Sequence, residues 1–310
     1  MAESKTAVVA AFLGNAALVI LKGVAAATTG SAAMLAETFH SVADTGNQAL
    51  LFLGLRLAKR PPDAHHPFGH GRDVYFWAFV VSMMLFTVGG AFSIWEGIHR
   101  LRAPAPGGSP AWAFGVLAGG VVFEAGSFVV AFRTLSATRR GRPLGDYWRD
   151  TRDPTLLTVL LEDSAALVSL ALATGGLVLS LVTADPIWDA VASLLIGGVL
   201  LAVAVVLALE NYSLLLGEAA PASVEREIRR LVGADAAVEG IHALRTMALG
   251  PGELLIVLEV VFARELAAPE VEAAVRRLET AIVAGVGRTR RSLVVIEPAP
   301  PKKGDIRRAA

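Results

Sequence analysis

The sequence predicts an α-helical membrane protein, with six transmembrane helices followed by a small α+β domain outside the bilayer. Three observations carry this reading. Of 310 residues, 54% are hydrophobic and only 18% charged, against roughly 25% charged for a soluble domain. Mean hydropathy is +0.57. After Leu216 the long apolar runs give way to short stretches with helix and strand periods.

A transmembrane helix needs roughly 20 mostly apolar residues. Six segments meet this: Thr6 to Ala27, Ala33 to Leu57, Val74 to Ile98, Ala111 to Leu135, Pro154 to Val182 and Ile187 to Leu209. The first is read as a retained span, because no small-residue cleavage site follows a short apolar core. The turns "TTGS" and "TADP" make helical hairpins of spans one and two and of spans five and six. Loop charge sets orientation. Lys59, Arg60 and Arg72 lie in one loop, and Arg139, Arg140, Arg142, Arg149 and Arg152 in another on the same side. That side, with both termini, is expected to be the cytoplasm.

Beyond span six, "SVEREIRRLVG" reads as an amphipathic helix. "GIHALRTMAL" and "ELLIVLEVVF" read as strands split by the Gly250–Pro251–Gly252 turn. "APEVEAAVRRLETAIVAGV" is a second helix and "RSLVVIEP" a third strand. The order α-β-β-α-β fits a two-layer α+β domain. "PKKGDIRRAA" reads as a disordered tail.

The spans carry polar groups that an apolar helix does not need. In "AETFHSVADTGNQALLFLGL", His40, Asp44 and Asn47 follow i, i+4, i+7 spacing and share one face of span two. A charge at mid-bilayer costs several kcal/mol, so this stripe should face other helices or a wet cavity. Span five adds Glu162 and Asp163. Being adjacent, they point about 100° apart, so at most one aims straight at the stripe. Crowded carboxylates near an imidazole repel one another, and either a divalent cation or protons relieve that. The competition between the two is the basis of an exchanger. Simple helix packing is the alternative for any one of these residues taken alone. Glu96 and Glu124, alone on spans three and four, read as structural or interfacial. Asn15 and Lys22 on span one read as cavity lining, or, for Lys22, as snorkelling outward. There is no cysteine, so thiolate metal sites and a Cys nucleophile are excluded. No His-Glu-x-x-His or P-loop motif occurs, and no enzyme activity is expected. A net charge of zero gives no case for nucleic acid.

"SAAMLAETFHSVADTGNQ", followed by "DAHHPFGHGR", resembles the cation diffusion facilitator family. "ENYSLLLGEAAP" and "VVIEP" are similar to that family too, so the resemblance covers nearly the whole chain. "VLLEDSAAL" resembles the branch that includes the zinc-transporter-9-like proteins. The resemblance implies six spans and a cytoplasmic ferredoxin-like domain in a homodimer. It implies export of divalent metal, most often zinc, in exchange for protons. It also implies transport ligands His40 and Asp44 from span two. In span five the usual His-x-x-x-Asp places its acid at Asp163 but its imidazole at Val159. Glu162, Asn47 or water are the candidates for the missing ligand. The site would be richer in oxygen, so manganese, iron(II) and cobalt join zinc as expected substrates.

Asp63, His66 and His70 match a secondary metal site of some family members, with His65 spare. A solvated turn around "PFG" is the alternative. The C-terminal domain has a single histidine, His242. It is therefore read as a dimerisation module without a regulatory metal site. The expected organisation is a transport domain over 1–212, a ferredoxin-like domain over 213–300 and a tail over 301–310. The expected function is metal/proton antiport by alternating access in the cell (inner) membrane. The rivals are a passive divalent-cation channel and a membrane-anchored metal sensor.

Overall fold

The computed structural model describes residues 2–103, 110–139, 141, 143–145, 147, 154–286 and 291–300. Side chains are described from Asn15 onward in the first helix. The expected tail and the loop arginines Arg140, Arg142, Arg149 and Arg152 lie outside the described residues. Six long helices come first: α1 Ala2–Thr29, α2 Ala32–Leu57, α3 Asp73–Arg102, α4 Pro110–Arg139, α5 Pro154–Thr183 and α6 Ile187–Leu216. Then follow α7 Ala222–Gly233, β1 Val238–Gly250, β2 Glu253–Phe262, α8 Ala268–Gly285 and β3 Arg291–Pro298.

Among the described residues, α3 to α6 are both long and apolar enough to cross a bilayer. α1 and α2 have the length, at 28 and 26 residues, while α2 carries the polar stripe. Large apolar side chains such as Val122, Val130, Val182 and Leu209 point outward into open surroundings. A helix that is apolar on its outer face is suited to lipid.

Short polar residues set the hairpin turns. Gly30, at φ +66°, closes α1, and its amide donates to the Ala26 carbonyl at 2.8 Å. Ser31 then caps α2, its Oγ accepting from the Met34 amide at 3.1 Å. Asp189 of α6 reinforces this cap: its carboxylate accepts from Ser31 Oγ and from the Ala32 amide. An acid there meets the positive end of the α2 dipole. Asp185 does similar work for α6, accepting from the Ile187 amide at 2.9 Å.

Small residues let the helices approach closely. An added Cβ on Gly197 of α6 would lie 2.9 Å from the Gly90 carbonyl oxygen, and one on Gly176 of α5 would lie 2.9 Å from the Trp188 carbonyl. α3 is interrupted by a π-helical segment, Leu85–Ala91, which holds Gly89 and Gly90. Such a wide turn re-aims the residues after it by inserting one extra residue into the ladder.

The chain divides into two compact units. One comprises 1–56, 75–141 and 154–212, and the other 57–74, 142–153 and 213–310. In the second unit, the three strands run in the order β1-β2-β3, with β1 and β2 antiparallel and β2 and β3 parallel. Gly252, at φ +73° after Pro251, closes the β1–β2 hairpin. Leu254, Ile256, Leu258 and Val260 alternate inward along β2 and meet Ile228 and Val232 of α7 and Leu278 and Ile282 of α8. The 57–74 loop joins this unit because its backbone lies directly on the β1–β2 hairpin. A Cβ on Gly71 would fall 2.6 Å from the Leu249 carbonyl oxygen.

Candidate metal centre

The helical unit encloses a small cavity, of about 30 Å³, between α1, α2, α4 and α5. That is room for one or two water-sized particles. α2 lines it with Ser41, Asp44 and Gln48, and α5 with Val159, Glu162 and Asp163. Asn47 Nδ2 donates to Glu162 Oε1 at 2.8 Å, tying α2 to α5. Ser127 of α4 donates to Asp163 Oδ2 at 2.8 Å. His40 is fully buried one turn before Asp44, with Nε2 3.5 Å from Asp44 Oδ2. Both His40 ring nitrogens, Asp44 Oδ1 and Asn47 Oδ1 are buried without a hydrogen-bond partner among the described residues. Unpaired buried polar atoms are costly, and a ligand is one way to satisfy them.

Of the five sequence-selected residues, four therefore meet between α2 and α5: Asp44, Asn47, Glu162 and Asp163. Asp44, Glu162 and Asp163 face one cavity, whereas His40 does not line it. No three of His40, Asp44, Glu162 and Asp163 bring ligand atoms within 4.8 Å of one another. Glu162 and Asp163 both reach the cavity although they leave the helix about 100° apart. Adjacent acids on a helix flank a cavity that sits between two neighbouring helices.

Two readings of single residues change. Glu124, read as structural, lines the same cavity together with Ser127. Its sequence signal was a lone acid in an apolar span, which does not say which way it faces. Lys22 does not snorkel: it is fully buried, and Nζ donates to Glu37 Oε2 at 2.9 Å and to Ser41 Oγ at 2.8 Å. Asn15 does line the cavity. Glu96 keeps its structural reading, accepting from Arg100 Nε at 2.8 Å.

Among the described residues, one group of histidines and carboxylates does converge to within 4.8 Å: Asp63, His66 and His70. His70 Nε2 lies 3.0 Å from Asp63 Oδ2, and His66 Nδ1 lies 3.3 Å from Asp63 Oδ1. The amides of His65 and His66 also donate to Asp63 Oδ1, at 2.8 and 2.7 Å. The His70 bond, followed by the His66 amide, holds the Asp63 carboxyl well below the usual carboxylate range. Two imidazoles and a carboxylate form a set suited to a divalent metal. In the C-terminal domain, His242 lies 3.8 Å from Glu259.

The Cation efflux transmembrane domain matches residues 8–216, which takes in α2 to α6 and most of α1. The chain belongs to the cation efflux family. Within that family it is similar to metal tolerance protein C4 of Arabidopsis thaliana, 32% identical over 76% of this chain and 52% of that protein. It is similar to the mitochondrial proton-coupled zinc antiporter SLC30A9 of Xenopus laevis, 34% identical over 76% of this chain and 42% of that protein. Over a shorter stretch, 31% of this chain, it is 33% identical to zinc transporter ZitB of Pectobacterium atrosepticum. The chain spans about half the length of the first two relatives. Membership of the cation efflux family makes the helical unit a multi-pass membrane domain.

Proposed function

We propose that this cation efflux protein exports a divalent metal, zinc foremost, in exchange for protons, by alternating access in a homodimer. It does so in the cell membrane with both termini in the cytoplasm. The observation that carries the reading is the buried cavity bounded by Asp44, Glu162 and Asp163, with unpaired polar atoms on His40, Asp44 and Asn47 beside it. Relatives named as a proton-coupled zinc antiporter and a zinc transporter support the substrate and the coupling. His40, Asp44, Asp163 and Glu162 are the proposed ligands, with Asn47 holding Glu162. Manganese, iron(II) and cobalt are proposed as weaker substrates, because carboxylate and amide oxygens dominate the set.

The ligand atoms stand apart, so a small approach of α2 and α5 is required to grip the ion. The same approach can close one access path as the other opens. Deprotonated carboxylates bind the metal from the cytoplasmic side, and protons displace it on the other. Asp63, His66 and His70 are proposed as a second metal site, on the strength of their convergence. The C-terminal domain is proposed as the dimerisation module.

Full-length protein in proteoliposomes should release protons on metal addition. Asp44→Ala and Asp163→Ala should each slow this at least about tenfold. Variants that move metal at the wild-type rate would mean the site is elsewhere. A passive channel would carry metal down its gradient but would not respond to an imposed pH gradient alone.

A further inference from the structure

Lys22 is a buried charged group that the proposed cycle does not use. An ionisable residue deep in a span is expected to be functional, because burying it is expensive. Its ammonium is held between α1 and α2 by Glu37 Oε2 and Ser41 Oγ. The pair sits toward the α1–α2 turn, with Glu37 about two helical turns from Asp44. Ser41, the second acceptor, itself lines the carboxylate cavity. On the α4 side, the Lys22 chain runs past Gly120, whose added Cβ would lie 3.5 Å from Lys22 Cε. Glu124 follows one turn later on the same α4 face and opens into that cavity. The titratable groups on the elements packed around the ammonium are thus Glu37, His40 and Asp44 of α2 and Glu124 of α4. Among the described residues, the second oxygen of Glu37 is buried without a partner.

Four carboxylates, Asp44, Glu124, Glu162 and Asp163, line the cavity. A divalent ion offsets only two of those charges. Once it leaves, protons take up part of that charge, and each carboxylate still ionised opposes closing the bundle around it. We propose that Lys22 is a tethered cation that offsets the carboxylate charge left in the proton-loaded, metal-free cavity during the return half of the cycle. This inference rests on the exchange reading above. In the return step the ammonium exchanges Ser41 Oγ for a cavity carboxylate, Asp44 or Glu124, while keeping Glu37. When metal occupies the cavity, repulsion sends the ammonium back to Ser41. A contact made only in the metal-free state speeds the return without strengthening metal binding.

The test separates the two halves of the cycle. Metal–metal exchange across a vesicle needs no metal-free return, whereas net metal/proton antiport does. Replacing a buried ion pair by apolar residues of similar size is often neutral for folding. So the full-length double variant Lys22→Met/Glu37→Leu is compared with wild type for both fluxes, using zinc. The expected result is exchange within about twofold of wild type and net antiport slower by about tenfold. Equal losses in both fluxes mean a packing role and overturn the proposal, and so does wild-type behaviour in both. Wild-type vesicles, run first, test the exchange reading separately. Proton-linked zinc flux there, with no divergence in the double variant, sinks only the role of Lys22.

Discussion

Val159 stands where the family resemblance expects an imidazole, and its side chain lines the cavity beside Glu162 and Asp163. The replacement is a local change in donor type: a nitrogen ligand is absent while oxygen donors crowd the same wall. Imidazole suits zinc, and carboxylate suits manganese. Val159→His should therefore raise the preference for zinc over manganese by about tenfold. A competition uptake assay reads this directly, and an unchanged ratio would mean that position 159 does not meet the ion. Residue identity made this site legible, since a histidine and acids in apolar spans can be found by inspection. Which way a lone acid faces is decided by packing. Glu96 found Arg100 four residues on, whereas Glu124 was turned to the cavity by the contact of α4 with α1 and α5.

At the level of helices, the bundle depends on how closely α3, α5 and α6 approach. Gly197 and Gly198 are neighbours in sequence with opposite surroundings. A Cβ at Gly197 would fall 2.9 Å from both the Gly90 carbonyl oxygen and the Ile94 amide nitrogen, while nothing lies within 4 Å of one at Gly198. Backbone atoms cannot step aside as a flexible side chain can, so Gly197→Ala should cost about 1–3 kcal/mol. Gly198→Ala should be neutral or stabilising by up to about 1 kcal/mol. Thermal unfolding of the two variants in detergent gives the contrast, and matching midpoints would contradict the packing described. The helices themselves were readable from hydropathy to within about four residues, except that α6 runs on past the expected Leu209 to Leu216. The π-helical segment of α3 was not, because its wide turn arises where Gly89 and Gly90 meet Leu200 and Leu201 of α6.

Over the whole molecule, the two candidate metal sites fall in different compact units. Their occupancies should therefore separate by mutation. Asp63→Asn in full-length protein that also carries Asp44→Ala should lower bound zinc at the loop, as measured by elemental analysis. The pH dependence follows from the lowered Asp63 carboxyl. A depressed acid contributes its ties fully above the unfolded value, about 3.9. It loses them only as pH falls through its lower folded value. Asp63 thus stays ionised at pH 7 and at pH 5.5, and the NMR shift of its carboxyl carbon in metal-free full-length protein should be the same at both. A shift that moves between these two pH values would mean that Asp63 takes up its proton earlier than its hydrogen bonds imply.

By itself, the sequence determined the six long helices, the α-β-β-α-β order that follows, and the residue types able to hold a divalent ion. Apolar length and strand or helix period are local properties, written in consecutive residues. Tertiary structure alone decided that Glu124 shares a cavity with Asp44 and Asp163, that Asn47 bonds Glu162, and that Lys22 turns inward to Glu37 and Ser41. Each of these depends on which helix faces which across the bundle. In a membrane that facing is set by the close fit of small residues and by the need of every buried polar group for a partner.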